Sequence, residues 1–246
     1  MAARDQKQMN LVISEIRQET PEIKSFRFDL GSNKPFPFRP GQFVIITAEV
    51  WNPKRNRMGT ANRAFSLSSS PTEEDFIEIA AKRYPEGRLT PWLHDTVKVG
   101  DILNVKGPEG NFVFTESESD ELVLIAGGIG IAPYRSMIRY ILAKGLPVRV
   151  TLLYSARTPA DFAFKPEFDA AMDHFSNFHC IYTVTRPDPT PWTGRVGRFD
   201  EAFLRDHLGP VGTLYYLCGP DRMIKDCAQT LTALGVSYPL IRSERW

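Results

Sequence analysis

A chain of 246 residues exceeds the usual single-domain size, and its 42% apolar and 24% charged content is an ordinary globular composition that excludes long disorder and fibrous or low-complexity classes. A net charge of +1 makes no demand for nucleic acid or an anionic membrane as partner. The N-terminal MAARDQKQMN lacks the apolar core of a secretory signal, and the longest apolar stretch, 122–134, is short and broken by glycines, so a cytoplasmic protein is expected.

In chain order, the first half alternates with period two. Segments 11–16, 24–28, 42–46 and 76–80 read as short strands with Pro and Gly in the gaps, and 63–69 reads as another. One convincing helix, around 91–97, accompanies them, which predicts a small antiparallel β-barrel rather than a layered domain. A polar acidic stretch, 115–121, then marks a boundary, giving domains 1–116 and 117–246. Beyond it strands at 122–127, 148–154, 178–184 and 213–218 alternate with helices at 133–144, 165–174, 200–207 and 221–234. That order predicts an α/β domain with a doubly wound parallel sheet.

Three stretches carry chemistry. Strand 122–126 runs into Gly127-Gly128-Ile129-Gly130-Ile131-Ala132-Pro133 and a helix, so glycines let the main chain approach a pyrophosphate while the helix start adds partial positive charge. Pro133 is harmless in the first turn, where its missing N–H has no intrahelical partner. The alternative for this loop alone is a merely tight strand-to-helix turn. In the first half, Arg63-Ala64-Phe65-Ser66 lies on a strand whose alternation puts Arg63 and Phe65 on one face and Ser66 on the other, and Arg63 carries a planar fork suited to a diphosphate. Further on, Gly87-Arg88-Leu89-Thr90-Pro91 supplies a glycine turn, Thr90 as N-cap and Pro91 at the first helical position, a second anion site.

Residues 63–69 and 87–93 resemble the flavin motif of the ferredoxin–NADP reductase superfamily, Arg-x-Tyr-Ser-x-x-Ser/Thr followed by a glycine-led phosphate turn. The resemblance continues through 97–101, 107–112, the Gly128 loop, and Cys218-Gly219-Pro220 with Met223, in order along nearly the whole chain. It implies FAD extended along the barrel, with its pyrophosphate against Arg63 and the 87–90 turn and its isoalloxazine facing the second domain. It also implies NADPH or NADH across 128–133, Gly219 and Pro220. The flavin-stacking Tyr of the family is Phe65 here, which keeps the ring and loses the hydroxyl.

The same resemblance implies catalytic roles for Ser66, donating toward the flavin N5 region, Cys218, packing beside the nicotinamide, and Glu244, tuning charge or relaying protons. Trp246 is expected to stack on the isoalloxazine. Ser155 and Arg157 follow a strand where an NAD-specific site more often carries an acid, and Thr193-Gly194-Arg195 resembles a second phosphate-binding arginine, which leans the reading to NADPH, although Asp161 is nearby. Cys180 and Cys227 read as core residues. No cysteine or histidine spacing suits a metal or an iron–sulfur cluster, so none is expected. The chain thus reads as a flavoenzyme exchanging electrons between a nicotinamide nucleotide and a ferredoxin, a flavodoxin or an oxygenase component. A free-flavin reductase and an electron-transfer subunit of a larger complex are the alternatives. Lys54, Arg55, Arg57 and Arg63 crowd one loop and strand, which suits an acidic carrier or simply makes a solvated basic loop.

Overall fold

The structure, a computed structural model, describes residues 7–187 and 191–245. They form two compact units, one of Met1–Val113 with Arg135–Tyr140 and one of Phe114–Tyr134 with Ile141–Trp246.

In the first unit, alternating apolar residues form β1 (Lys7–Thr20), β2 (Ile23–Asp29), β3 (Phe43–Asn52), β4 (Arg57–Ser66), β5 (Phe76–Lys82) and β6 (Ile102–Glu109), with α1 (Leu89–Asp95) between the last two. All neighbours pair antiparallel in the order β4-β3-β6-β1-β2-β5. The sheet curls until its edges almost meet, where Leu67 bridges Ile79 and the Ser68 N–H donates to the Glu78 carbonyl at 2.7 Å. Leu11, Ile13, Phe26, Phe28, Val44, Ile46 and Val105 fill the interior. Strand β6 is not legible as a strand because Gly107 and Pro108 read as turn residues. Gly107 sits there because an added Cβ would come within 2.9 Å of the Val44 side chain.

Helix α1 starts earlier than expected. Arg88 occupies the N-cap position, and Thr90 lies inside the helix rather than capping it. The Thr90 hydroxyl instead accepts from the Tyr84 N–H at 3.2 Å, so it closes the preceding turn.

The first unit also buries a charge network. Glu78 on β5 is 2% exposed and pairs with Arg135, which is 1% exposed, and with Arg27 at 3.2 Å. The Ser69 hydroxyl accepts from the Glu78 N–H at 2.9 Å, and Arg27 has a second partner in Glu15 at 3.0 Å.

In the second unit, β7 (Glu121–Gly127), β8 (Arg149–Ala156), β9 (Phe178–Val184), β10 (Arg195–Val196), β11 (Leu214–Gly219) and β12 (Ile241–Arg245) pair in parallel in the order β10-β9-β8-β7-β11-β12. Helices α2 (Ala132–Ala143), α3 (Lys165–His174), α4 (Glu201–Asp206) and α5 (Asp221–Ala233) connect them. Residues 122–126 of β7 are all buried, the continuous apolar run of a central parallel strand. The order reverses between β7 and β11, which makes their carboxyl ends the switch point where open α/β sheets bind ligands. No described helix is long and apolar enough to cross a membrane.

Breaking the buried pair from one side leaves a charge without its partner. Glu78→Leu is expected to cost about 3–5 kcal/mol, read from the urea midpoint at unchanged m-value, while the double variant Glu78→Leu/Arg135→Met recovers most of that loss.

Candidate functional site

At the switch point the two loops interlock through glycines. After β7 the chain makes a single 3₁₀ turn, Gly128–Ile131, before α2 begins. A Cβ on Gly130 would lie 2.3 Å from the Cys218 carbonyl oxygen and 2.8 Å from the Gly219 nitrogen, so the loops after β7 and β11 touch backbone to backbone. Gly127 is held the same way, with Met223 Sδ 2.7 Å and Pro220 Cδ 2.8 Å from where its Cβ would stand. Gly128 differs. Its φ is +55°, and nothing lies within 4 Å of the position a Cβ would take, so the turn presents bare backbone on an open flank.

Pro133 is the second residue of α2, in the first turn, where its lack of N–H has no consequence. The buried Tyr154 hydroxyl donates to the Gly128 carbonyl at 3.2 Å and accepts from the Ala163 N–H at 3.1 Å. Tyr154 thereby fixes the peptide that the open flank depends on, and sequence reasoning did not find it because a strand tyrosine carries no such signal. The result is a helix start with accessible main chain, an arrangement whose chemistry suits a phosphate group.

Beyond β8 and β9 the pairing continues. The Thr185 N–H donates to the Ala156 carbonyl at 3.0 Å and the Arg186 N–H to the Arg157 carbonyl at 2.7 Å. Arg157 and Arg186, both exposed, thus leave adjacent strands side by side, with half-buried Ser155 preceding them. Arg186 was missed in the sequence, although it stands after β9 as Arg157 stands after β8. Asp161 turns its carboxylate to the Thr158 N–H and hydroxyl, at 3.0 and 2.9 Å. Arg195 is already engaged. It pairs with Asp200 at 2.8 Å, donates to the Thr183 hydroxyl at 3.1 Å and lies 4.1 Å over the Phe203 ring. Its guanidinium anchors β10.

Two of the expected catalytic residues meet in this unit. Buried Cys218 on β11 stands in register with Glu244 on β12. Glu244 as a residue is half-buried, yet its Oε2 is shut off from solvent and has no hydrogen-bond partner among the described residues, and burial pushes its carboxyl up to about 8. Tyr134 lies beneath the same region, donating to the Ile125 carbonyl at 3.3 Å, with its phenol pushed up by burial first and by Cys218 and Glu244 next. Trp246 lies outside the described residues.

The remaining expected residues belong to the first unit. Arg63 is exposed on β4, donating only to the Asn62 carbonyl, at 2.7 Å, with no carboxylate partner among the described residues. Ala64 is half-buried, Phe65 packs into the barrel core at 7% exposed, and Ser66 ends the strand at 4%. The 84–90 turn closes with the Gly87 N–H donating to the Tyr84 carbonyl at 2.8 Å, and a Cβ on Gly87 would crowd the Tyr84 oxygen at 3.0 Å and the Thr90 hydroxyl at 3.1 Å. Leu89 is buried and pins the start of α1. Arg88 turns away from the turn, donating to the Val50 and Gly59 carbonyls at 3.2 and 2.5 Å. A free guanidinium and a glycine turn in one unit, and an open helix start in the other, suit two dinucleotides.

Residues 10–114 match the oxidoreductase FAD-binding domain and residues 124–229 the oxidoreductase NAD-binding domain. The chain is 31% identical to the glycine betaine monooxygenase reductase subunit of Chromohalobacter salexigens, over 92% of its own length and 61% of that protein. It is 34% identical to sulfhydrogenase 1 subunit gamma of Pyrococcus furiosus, over 88% of its length and 71% of that protein. The crystal structure of the Amycolatopsis cytochrome P450 reductase GcoB superimposes with a TM-score of 0.82 at 27% identity, covering 98% of this chain and 70% of that one. The chain spans about three-fifths of the length of its oxygenase-reductase relatives.

Two outcomes follow from this geometry. Gly130→Ala forces the interlocked loops apart, at an expected cost of about 1–3 kcal/mol. Isothermal titration should show NAD(P) affinity falling with it. The Glu244 carboxyl takes up a proton on folding between its ordinary 4.5 and about 8, so its contribution to stability declines as pH rises through that window and is flat above it. In melting curves from pH 4.5 to 9, Glu244→Gln should gain on the wild type steadily up to about pH 8 and no further.

Proposed function

The chain belongs to the ferredoxin–NADP reductase superfamily of FAD- and NAD-binding oxidoreductases, and on that premise we propose that it is the flavin-carrying reductase of a multicomponent system. In this reading it takes electrons from NAD(P)H, preferentially NADPH, and passes them singly to a separate oxygenase or carrier protein in the cytoplasm. The observation that carries the reading is the glycine-interlocked switch point, with its open Gly128 flank at a helix start, in a chain whose first unit also presents an exposed Arg63 with no carboxylate partner among the described residues and a glycine turn at 84–90. The relatives named as monooxygenase reductase subunits support the choice of acceptor class.

FAD, when bound, supplies the exchange of one hydride for two single electrons. The chain's own residues do the positioning. The Arg63 fork clamps the FAD diphosphate together with main-chain N–H groups of the 87–90 turn. Ser66 donates a hydrogen bond at the flavin edge, and Phe65 supports that strand from the core without the hydroxyl a tyrosine would bring. N–H groups of 128–131, in the loop that leads to Pro133, bind the nucleotide pyrophosphate, and Arg157 with Arg186 meets the 2′-phosphate of NADPH. Cys218 packs beside the nicotinamide, with Gly219 and Pro220 held against Gly127 and Met223 to set the position of the loop that follows it. Glu244, protonated up to about pH 8, holds a proton across from Cys218. Arg88 and Arg195 shape the site through their hydrogen bonds rather than by touching phosphate.

The purified chain should be yellow with one FAD bound, and Arg63→Ala should lose most of it. A colourless chain that fails to take up FAD on titration overturns the reading. With ferricyanide as acceptor, Arg157→Ala and Arg186→Ala should each lower kcat/KM for NADPH about tenfold, the scale of a charge-assisted hydrogen bond, while leaving NADH nearly unchanged. Arg195→Ala should lower thermal stability without changing the NADPH to NADH ratio.

A further inference from the structure

Arg157 and Arg186 leave β8 and β9 side by side, and strand pairing holds each of them from one side only. The chain after Arg157 is firmly fixed. Thr158 and Asp161 close a 3₁₀ turn, Pro159–Asp161, with a capping box, and the buried segment Phe162–Ala163–Phe164 follows. Phe164 has a φ of +61°, in the left-handed region that a bulky side chain adopts only where its surroundings impose it. The neighbouring Ala163 N–H donates to the Tyr154 hydroxyl at 3.1 Å, which ties the segment to the tyrosine that holds the Gly128 peptide.

After Arg186 the hold comes from Trp192, half-buried in the stretch that leads to β10. Its ring centroid lies 5.7 Å from that of Phe162, with 33° between the planes. Phe162 in turn meets Tyr154 at 5.0 Å and Tyr182 at 4.9 Å, both edge to face. The indole is locked in place: its Nε1–H donates to the Arg195 carbonyl at 2.9 Å, and a Cβ on Gly194 would stand 2.5 Å from its Cζ2. Residue 194 has no side chain because the indole fills that space. Arg195 is itself anchored by Asp200 and Thr183, so Trp192 joins a fixed β10 to a fixed Phe162.

We propose that Trp192 is a positioning residue for NADPH specificity, clamping the loop between β9 and β10 onto Phe162 so that Arg186 stays beside Arg157 where a 2′-phosphate can meet both. The inference rests on the NADPH reading above and assigns what keeps its second arginine in place. Two exposed guanidinium groups on adjacent strands repel each other until an anion arrives, and an apolar stack is a hold that this repulsion does not weaken. A loop pinned beforehand also has less freedom to lose when the phosphate binds, so more of the charge-assisted pairing appears as affinity. The pyrophosphate turn keeps its own tie through the Tyr154 hydroxyl, which confines the effect of the clamp to the 2′-phosphate.

The test uses the FAD-loaded full chain with ferricyanide as acceptor, and isothermal titration with 2′-AMP and 5′-AMP as probes. Trp192→Ala should lower the NADPH to NADH ratio of kcat/KM about fivefold, through KM for NADPH, and weaken 2′-AMP by a similar factor relative to 5′-AMP. Trp192→Phe keeps the stack and should recover most of the loss. Gly194→Ala displaces the indole without removing it and should reproduce the loss, which decides the matter even if Trp192→Ala does not fold. Added to Arg186→Ala, Trp192→Ala should cost nothing further, because it acts only through that arginine. Equal losses for both nucleotides and both probes overturn the assignment and leave Trp192 a packing residue, and wild-type values in Trp192→Ala and Gly194→Ala overturn it as well. If Arg186→Ala itself leaves the NADPH to NADH ratio unchanged, the NADPH reading fails and the clamp with it.

Discussion

Gly130 packs against the Cys218–Gly219 peptide so closely that a methyl group has no place to go, and this contact draws together the loops after β7 and β11 where the strand order reverses. Everything else in the nucleotide crevice is placed relative to it. The 3₁₀ turn must start at Gly128, so Gly128 is the residue whose bare backbone faces outward. Tyr154 then has only the Gly128 carbonyl to reach, and Met223, from the first turn of α5, covers Gly127 and Gly219. Glycine here serves two opposite purposes in one loop. At 127 and 130 it removes bulk so that protein can touch protein, and at 128 it takes a positive φ and leaves the main chain bare on an open flank.

The first unit solves a different problem, that of holding an exposed guanidinium and a turn at the mouth of a curled sheet. Arg88 is the instructive residue, because the motif that contains it suggests a phosphate contact and the geometry gives it a bracing one. Arg195 shows the same displacement in the other unit, where Asp200, Thr183 and the Gly197 carbonyl engage its two terminal nitrogens and the Phe203 ring lies against its face. An arginine found in a binding motif has five donors to place, and nearby carbonyls and carboxylates compete for them with any ligand.

The architecture was legible because both periodicities were strong. Alternation marked β1, β2, β3 and β5, and buried apolar runs followed by helical patterns marked the parallel sheet. What failed locally failed for stated reasons. Strand β6 hides behind Gly107-Pro108, and the start of α1 hides because Thr90 resembles a cap while serving the turn before it. Among site residues, the glycine loop was visible as a strand-to-helix turn, while Cys218 and Glu244 were singled out only by the family resemblance, and their register on β11 and β12 appears only in the structure. Arg186 and Tyr154 were not, because their places depend on how β8 and β9 pair beyond their ends and on where a side chain reaches across a sheet.

Strand β12 lies at the edge of the parallel sheet, a position that offers unpaired N–H and C=O groups to any other extended chain. Within five residues it carries Arg242, Glu244 and Arg245. Arg242 is tied to Glu118 and to the Tyr216 hydroxyl, and Glu244 turns inward beside Cys218. Another strand that paired along this edge would have to take exposed Arg245, and Arg242 with its Glu118 partner, further out of water, which disfavours intermolecular sheet growth.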